Sequence, residues 1–489
     1  MASFHIENFG CRAARADGEA VAALLRSAGH DTQQAREADV VIVNTCSVTA
    51  EADREARAYI RRAHRLNPDA RIIATGCYAQ RAPEELAVLP GVAAVIGNSH
   101  KALAPGVALR FMNAPFGAAP AENHLIQIQP VQAAVTPPRV VLVDHTFAHS
   151  FLEEAPVLPG VQTRPNLKIQ EGCGNRCSFC VIPQTRGDSR SLPALSVLHH
   201  VTSFVAAGGN ELVLSGINLG RWGRDLDPAD SARPTFAKLV RQILTQTGLP
   251  RLRLSSIEPM DWDSDLIALM SEFGGTRLCR HAHLPLQSGS DAVLRRMHRR
   301  YRPWHYADKV NDLLDAAGPE LTLGADVLVG FPGETDREFQ ETLDFIRALP
   351  FGYLHLFPFS PRPGTRAWTL HSESAVPRAV VDQRMSALRT VAAEKTRTHR
   401  LQFIGKELNA ITLHTPSSLS EADQTSALTE NFLPVELAAS LPANKLVQVL
   451  VTGLVEDSTL LATSASEYRP TLPPPAGRIS TPAESQLAL

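Results

Sequence analysis

The sequence contains no apolar run of the roughly 18 residues that a membrane-spanning helix needs, and its first residues lack the basic segment and apolar core of a signal peptide. It also lacks an excess of charge of either sign, since 48 Lys and Arg face 50 Asp and Glu. We therefore expect a cytoplasmic protein without a polybasic coat for nucleic acid, although this balance leaves room for a local basic patch.

Cysteine is scarce as well. The 489 residues include seven cysteines, an odd and sparse set that does not predict a disulfide framework. In a reducing compartment such thiols are free to bind metal or to act in catalysis. No Ser-His-Asp or paired-carboxylate arrangement stands out beside them. The seven are Cys11, Cys46, Cys77, Cys173, Cys177, Cys180 and Cys279.

The pattern of apolar and polar segments predicts an α/β protein with three domains. Residues 1–112 alternate strand and helix patterns, with strands at 38–44, 71–75 and 92–96, which predicts an open parallel α/β sheet domain. Residues 113–165 are rich in Pro and Ala and predict a linker region that holds one strand at 139–144.

Six further strand patterns, separated by helical patterns, predict a partial (β/α)6 barrel in residues 166–400. Residues 401–466 have the pattern of short strands, which predicts a small β-barrel. The proline-rich residues 467–489 predict a disordered tail. The six barrel strands are predicted at 167–170, 211–215, 251–255, 283–287, 322–329 and 353–358.

Three of the cysteines, Cys173, Cys177 and Cys180, form a C-x3-C-x2-C motif directly after the first predicted barrel strand. Three thiolates suit a [4Fe–4S] cluster that keeps one iron open for another ligand. A structural zinc site needs a fourth Cys or His, so a zinc knuckle with a distant His is the alternative. Loops that follow the strands form the active face of such barrels.

Cys11, Cys46 and Cys77 are dispersed, but each follows a strand-like run. The carboxyl ends of parallel strands share one edge of a sheet, so these three thiols are expected to converge on a second metal site. The alternative is three buried cysteines that behave as apolar residues. Cys279 has no partner at a useful spacing and is expected to be structural.

At these residues the chain resembles the radical S-adenosylmethionine (SAM) methylthiotransferases. The resemblance rests on LKIQEGCGNRCSFCVIPQTRG at 167–187, on the dispersed FGC, NTCSVT and TGCYAQ, and on four further strings. KIQEGC, IPQTRG and RRMHRRY fit the tRNA threonylcarbamoyladenosine branch best. The family often has Lys after its first cysteine, where this chain has Arg12. The further strings are SSIEP (255–259), LPLQSGSDAVLRRMHRRY (284–301), DVLVGFPGET (326–335) and FPFSPRPGT (357–365).

The resemblance implies an N-terminal methylthiotransferase domain, a radical SAM barrel and a C-terminal TRAM domain. It also implies two [4Fe–4S] clusters, one on each cysteine triad, and SAM as cofactor. Electron transfer from the cluster on Cys173, Cys177 and Cys180 would cleave SAM to a 5′-deoxyadenosyl radical. The radical would remove the C2 hydrogen of N6-threonylcarbamoyladenosine at position 37 of tRNA, next to the anticodon, and a methylthio group would be inserted there.

Several predicted strand ends carry groups that could hold SAM. Ser215 and Gly216 fall where the superfamily has its glycine-rich methionine-binding motif, and Glu258, Gln287 and Asp326 are placed to bind ribose or carboxylate. Polar residues that satisfy one another inside the barrel are the alternative.

Residues 277–304 hold seven Arg against one Asp, with Tyr301 and Trp304 among them. Arginines suit contacts with phosphates, and aromatic rings suit stacking on bases. An anticodon loop offers splayed bases for such stacking. We predict RNA contacts by Arg295, Arg296, Arg299, Arg300 and Tyr301, with a solvated helix end as the alternative. Residues 401–489, by contrast, hold four basic and nine acidic residues, the opposite of an RNA-gripping barrel.

Other functions remain open at this point. A methylthiotransferase acting on isopentenyladenosine in tRNA or on a ribosomal protein fits the same motifs. An iron–sulfur scaffold or electron carrier, and a zinc-dependent RNA-binding protein, belong to different classes. The leading interpretation requires an external electron donor and a sulfur source as partners, and we expect a monomer that needs no membrane.

Overall fold

The computed structural model describes residues 2–113, 140–153, 155–160, 162–227, 233–456, 458–468 and 470. Most of the predicted linker region and the predicted disordered tail lie outside these residues. No helix in these ranges is long and apolar enough to cross a membrane. The chain folds into an N-terminal parallel sheet, a central α/β barrel and a small closed β-barrel, which confirms the predicted fold class.

The N-terminal domain is a six-stranded sheet in the order β2-β1-β3-β4-β5-β6, and every pair in it is parallel. Its strands are β1 Ser3–Asn8, β2 Asp31–Thr32, β3 Val40–Thr45, β4 Arg71–Gly76, β5 Val92–Gly97 and β6 Val140–Leu142. Its helices are α1 Arg12–Ser27, α2 Ala50–Leu66, α3 Cys77–Arg81, α4 Pro83–Ala87 and α5 Ala104–Asn113, with a 3-10 helix at Asn98–Leu103. Apolar strands such as β3, which is buried throughout, fill the space between the helices.

The segment after residue 139 belongs to this sheet. β6 pairs with β5, and His149 exchanges backbone hydrogen bonds with the 3-10 helix through Ser99 and Ala102. Phe147 and Ala155 are buried. The described part of the predicted linker is therefore packed against the N-terminal domain, because β6 completes an edge that would otherwise expose unpaired backbone groups.

The central domain contains six parallel strands in chain order, with a short antiparallel strand at one edge. An isolated parallel bridge between Leu252 and Leu278 joins its two sheets into one open arc. The strands are β7 Asn166–Glu171, β8 Arg190–Ser191, β9 Glu211–Gly216, β10 Arg251–Leu254, β11 His281–His283, β12 Thr322–Val329 and β13 Phe351–Pro358. The helices are α6 Ile182–Arg186, α7 Ala194–Ala206, α8 Phe236–Gln246, α9 Ser264–Phe273, α10 Asp291–Arg296, α11 Pro303–Ala317, α12 Asp336–Ala348, α13 Arg366–Ser374 and α14 Arg378–Leu401.

Alternation along the barrel strands separates two faces. Leu212 and Leu214 of β9 pack under the surrounding helices in the main apolar core, so Glu211 and Ser215 point to the inner face. The same alternation gives β10 two inner arginines, Arg251 and Arg253. The inner face, which we call the lumen, is therefore polar and charged.

The C-terminal domain is a closed barrel in the order β14-β15-β16-β18-β17. It packs at the amino-terminal end of the barrel strands, where Glu430 binds Arg280 and the side chain of Asn431 donates to the Glu320 carbonyl. Its elements are β14 Glu407–Thr412, α15 Ser417–Ser420, β15 Thr425–Thr429, β16 Pro434–Leu437, β17 Leu446–Leu454 and β18 Leu460–Glu467.

Candidate active site

The loop that follows β7 carries Cys173, Cys177 and Cys180, all half-buried and in no disulfide. Several N–H groups point at these sulfurs. The Asn175 backbone N–H and the Asn218 side chain donate to Cys173 Sγ at 3.4 and 3.6 Å. Arg299 donates to Cys177 Sγ at 3.2 Å. Such donors stabilise thiolates, and three thiolates in one loop fit an iron–sulfur cluster.

Burial opposes ionisation of these thiols. It raises the pKa of Cys173, and it raises the pKa of Cys180 to about 12, with a further contribution from Cys177. At neutral pH the thiols of Cys173 and Cys180 therefore keep their protons, and a bound metal would displace these protons as its ligands form.

The dispersed triad lies at the carboxyl edge of the N-terminal sheet. Cys11 is the N-cap of α1, Cys46 follows β3 and Cys77 begins α3 directly after β4. Burial, together with the neighbouring Cys77 and Cys11, raises the pKa of Cys46 to about 12. Cys46 and Cys77 are buried and Cys11 is exposed, which leaves this group of thiols accessible from one side.

Two glycines make this convergence feasible. Gly10 has φ +101°, and a Cβ built on it would lie 2.7 Å from both Cβ and Sγ of Cys46. Gly76 has φ +98°, and a Cβ there would lie 2.3 Å from the Thr45 carbonyl oxygen. Any other residue would push the cysteine-bearing turns apart.

A buried charge network joins this triad to the barrel. Arg186 of α6 donates to Cys77 Sγ at 3.3 Å and to Glu171 Oε1 at 2.6 Å, and it also contacts Asp17. Lys101 and Lys168 bind the same two carboxylates. The network contains two carboxylates and three cationic side chains, so one surplus positive charge lies beside the Cys77 sulfur. The sequence does not predict this network, although Lys168 and Arg186 lie in the string that carries the resemblance.

Beside the barrel cysteines lies a cavity of about 230 Å³, lined by Cys177, Glu258, Arg299 and Arg300 among others. Both oxygens of Glu258 accept hydrogen bonds from Arg299, at 2.8 and 2.6 Å. Glu258, expected to bind SAM directly, thus also holds the guanidinium that donates to Cys177.

The other predicted SAM residues lie along the carboxyl end of the lumen. Ser215 Oγ is buried and, within the described residues, has no hydrogen-bond partner, and the same is true of Asn218 Oδ1. Gly216 packs on Gln170, and Gln287 has φ +65° and donates its backbone N–H to Asp326. Unsatisfied buried polar atoms beside the cysteine loop fit a polar ligand such as SAM.

Asp326 lies between His283 and His355, each with a ring nitrogen 3.2 Å from Oδ1. Burial raises the pKa of this carboxyl, but the two histidines outweigh burial, and the net pKa lies well below its usual value. Asp326 is therefore an ionised group at the mouth of the lumen.

The arginine-rich segment differs from its prediction in two respects. Tyr301 is fully buried, and its hydroxyl donates to the Pro285 and Leu286 carbonyls, so it has no face for a base. Arg299 is only 7% exposed and is committed to Glu258 and Cys177. Both are therefore withdrawn from the predicted RNA contacts.

Arg295, Arg296 and Arg300 do reach the surface, but each has an acidic partner. The partners are Asp291, Glu338 and Asp261 respectively. The excess of arginine in the local sequence is largely offset by acids from other segments. The predicted structural role of Cys279 fits its position, since it is buried beneath Arg253 and its pKa is raised by burial to about 12.

The fold and the three-cysteine loop define a radical SAM enzyme. The model of the radical SAM superfamily matches residues 167–346, and that of an uncharacterized protein family, UPF0004, matches residues 3–97. Among solved structures, the radical S-adenosylmethionine methyltransferase TsrM from Kitasatospora setae is 17% identical, with a TM-score of 0.48 over 75% of this chain and 77% of that chain.

Curated relatives narrow the class. Threonylcarbamoyladenosine tRNA methylthiotransferase MtaB of Bacillus subtilis is 33% identical, over 89% of this chain and 90% of its own length. The tRNA-2-methylthio-N(6)-dimethylallyladenosine synthase of Geobacter metallireducens is 32% identical, over 93% of this chain and 97% of its own. The chain belongs to the radical SAM tRNA methylthiotransferase family, whose chemistry requires SAM and a [4Fe–4S] cluster.

Proposed function

We propose that this enzyme methylthiolates C2 of N6-threonylcarbamoyladenosine at position 37 of tRNA and that it uses two [4Fe–4S] clusters. The observation that carries the proposal is the pairing of the two cysteine triads. Arg186 connects the Cys77 triad to the barrel domain, and that domain holds the Cys173 triad in the loop after β7. The threonylcarbamoyladenosine names of the relatives from Bacillus subtilis and Aquifex aeolicus support this choice of base.

In this proposal the clusters and SAM, when bound, supply the radical and the sulfur, while the chain positions them. Cys173, Cys177 and Cys180 hold one cluster, and Cys11, Cys46 and Cys77 hold the other. Arg299 and Arg186 donate hydrogen bonds to one sulfur in each triad, which favours the thiolate ligands. Ser215, Gly216 and Asn218 line the SAM side of the lumen.

The tRNA approaches the open carboxyl end of the lumen in this proposal. Arg295, Arg296 and Arg300 lie on that side of the barrel, and the Trp304 ring is 52% exposed near them. The ion pair of Arg295 with Asp291 lies at the surface, where such pairs are weak, so a phosphate can replace this carboxylate. The acidic C-terminal domain packs at the opposite end and is assigned no RNA contact. The enzyme also needs an external electron donor and a source of sulfur.

The second candidate is the methylthiolation of dimethylallyladenosine in tRNA. It is favoured by the relative from Geobacter metallireducens, which matches this chain about as well as the threonylcarbamoyladenosine enzymes do. The two substrates differ in charge, since only the threonylcarbamoyl group carries a carboxylate.

Mass spectrometry of nucleosides tests the choice. The full chain is reconstituted anaerobically with iron and sulfide and incubated with SAM, reductant and tRNA carrying either modified adenosine. A methylthio product from threonylcarbamoyladenosine alone supports the proposal. A product from dimethylallyladenosine alone establishes the second candidate, and absence of SAM cleavage refutes both.

The two-cluster arrangement has its own control. Cys177→Ala is expected to abolish SAM cleavage and to keep the iron of the N-terminal triad. Cys279→Ala removes a thiol that lies outside both triads and is expected to keep all the iron. Loss of all iron in Cys177→Ala would contradict independent sites.

A further inference from the structure

The floor of the lumen, near the start of the barrel strands, carries more positive than negative charge. Arg164, Arg251 and Arg253 share the single carboxylate of Glu211, with N–O distances of 3.4, 3.3 and 2.8 Å. Three guanidinium nitrogens of Arg251 and Arg253 are buried without a hydrogen-bond partner in the described part of the chain. Buried donors without acceptors are costly, so this floor favours an additional anion.

Arg12 enters the same floor from the N-terminal domain, one residue after Cys11. Its guanidinium carbon lies 5.5 Å from the centroid of the Phe432 ring, and that of Arg253 lies 5.3 Å from the same centroid. The Arg12 side chain makes no hydrogen bond or ion pair with any residue that the structure describes. Arg12 is thus a cation without an anionic partner.

Aromatic rings wall this group of cations. The Phe432 ring stacks on His281 at 4.4 Å and lies 5.4 Å from the Tyr353 ring. Burial lowers the pKa of His281 well below its ordinary value, and Arg253 lowers it further, so His281 is neutral and contributes no charge. Above Tyr353, the His355 side chain is 49% exposed. Flat rings therefore flank the cations, and the row of rings continues along β13 from Tyr353 to His355, whose rings are 5.2 Å apart, toward the carboxyl ends of the strands.

We propose that Arg12, with Arg253 behind it, binds the carboxylate of the amino-acid substituent on the substrate adenosine. This proposal rests on the proposed function and adds the group that selects the substrate. A guanidinium offers paired donors that match a carboxylate, and the interaction is strong where water is excluded. The dimethylallyl group has no anionic end and would leave Arg12 unpaired. Arg12 is then a specificity-determining residue, and the aromatic walls fit the planar carbamoyl unit.

Binding of short anticodon stem-loop RNAs to the full reconstituted chain tests this inference. One RNA carries threonylcarbamoyladenosine and the other its neutral amide, in which the threonine carboxylate is replaced by a carboxamide. We expect the wild type to bind the carboxylate RNA about 10- to 100-fold more tightly than the amide, as a charged hydrogen bond implies. Arg12→Gln is expected to bind both RNAs with the affinity of the wild type for the amide. Arg15→Gln, an exposed neighbour on α1, is the matched control and should behave as the wild type does.

Three outcomes overturn the inference or redirect it. A preference for the carboxylate that survives in Arg12→Gln, or is missing from the wild type, overturns it. If Arg12→Gln instead loses affinity for SAM and keeps the RNA preference, the bound carboxylate is that of SAM and the inference is wrong. If Arg12→Gln loses iron because residue 12 adjoins Cys11, Arg12→Lys is used in its place. Its preference for the carboxylate RNA over the amide RNA should lie between those of the wild type and a variant without a cation, and a full loss of preference or none would overturn the inference.

Failure of the inference is distinct from failure of the proposed function. A wild-type enzyme that methylthiolates threonylcarbamoyladenosine tRNA but binds both RNAs equally keeps the function and loses the role of Arg12. A wild-type enzyme that forms product only from dimethylallyladenosine tRNA loses the function itself.

Discussion

Replacing Arg186 tests the contact between the two domains most directly. The guanidinium is fully buried and binds Glu171, Asp17 and the sulfur of Cys77. Arg186→Met removes these bonds and leaves a buried carboxylate with fewer partners, so the free energy of unfolding should fall by about 3–5 kcal/mol. Arg186→Lys keeps the charge but loses the planar guanidinium with its paired donors, and the free energy of unfolding should fall by less than in Arg186→Met.

Urea titrations of the metal-free proteins, followed by circular dichroism, measure the difference. Arg54→Met provides a matched control, because that arginine pairs with Glu51 at the surface, 72% exposed, and should cost less than about 1 kcal/mol. After reconstitution, Arg186→Met should also lower the reduction potential of the cluster proposed for the N-terminal triad, since a cation near a cluster favours its reduced form. An Arg186→Met protein as stable as the control would refute the view that this network holds the domains together.

Three further predictions concern separate parts of the molecule. Gly10→Ala should lose the iron of the N-terminal triad, because the added Cβ would overlap Cys46. Gly29→Ala, also at positive φ but with open space around it, should keep that iron. Equal iron in both variants would contradict the view that close packing of Gly10 on Cys46 forms the site. Ser215→Ala should weaken SAM binding about 2- to 10-fold by removing one hydrogen bond, and an unchanged Kd in equilibrium dialysis would exclude that contact. Burial, and then the charge of Arg400, lowers the pKa of His399 from 6.5 to about 4. As the pH drops from 6.5 to 4, His399 is protonated in the unfolded chain before it is protonated in the folded one, so the free energy of unfolding should fall by up to about 3 kcal/mol. Urea titrations at each pH measure this fall, which His399→Gln should reduce.

Much of this architecture could be predicted because it depends on local patterns. Continuous apolar runs mark strands that are buried on both faces, such as β3 and β4, and the cysteines that follow them had to share an edge. β1 is anticipated only as a strand-like run before Cys11, without bounds, since SFHIEN mixes polar and apolar residues and its burial depends on neighbours on both sides. The strand expected at 283–287 lies at His281–His283 instead, and Gln287, at positive φ, makes only an isolated bridge to Val327.

Contacts between segments that are distant in the sequence cannot be predicted from local patterns. Nothing near Tyr301 in the sequence reveals that its hydroxyl binds carbonyls of the preceding loop, and the acids that neutralise Arg296 and Arg300 lie some 40 residues away. Likewise, the lack of a partner for Arg12 is a property of the folded lumen. The charge counted along residues 277–304 therefore overestimates the positive charge at the surface, and the charge counted along the whole chain does not reveal the positive floor of the lumen.

The insertion of Phe432 has a consequence for the order in which the molecule is built. The floor of the lumen combines Arg12 with an aromatic ring that is synthesised some 420 residues later. At ordinary rates of translation roughly 20 to 80 s separate the two. Between the completion of β13 and the synthesis of Phe432, the barrel strands and both cysteine triads exist without this part of the floor, and the charged lumen is open at its amino-terminal end. The C-terminal barrel therefore closes the lumen after the cysteine-bearing domains have been made, and a chain truncated before residue 401 would keep every cysteine but lack the aromatic ring of the floor.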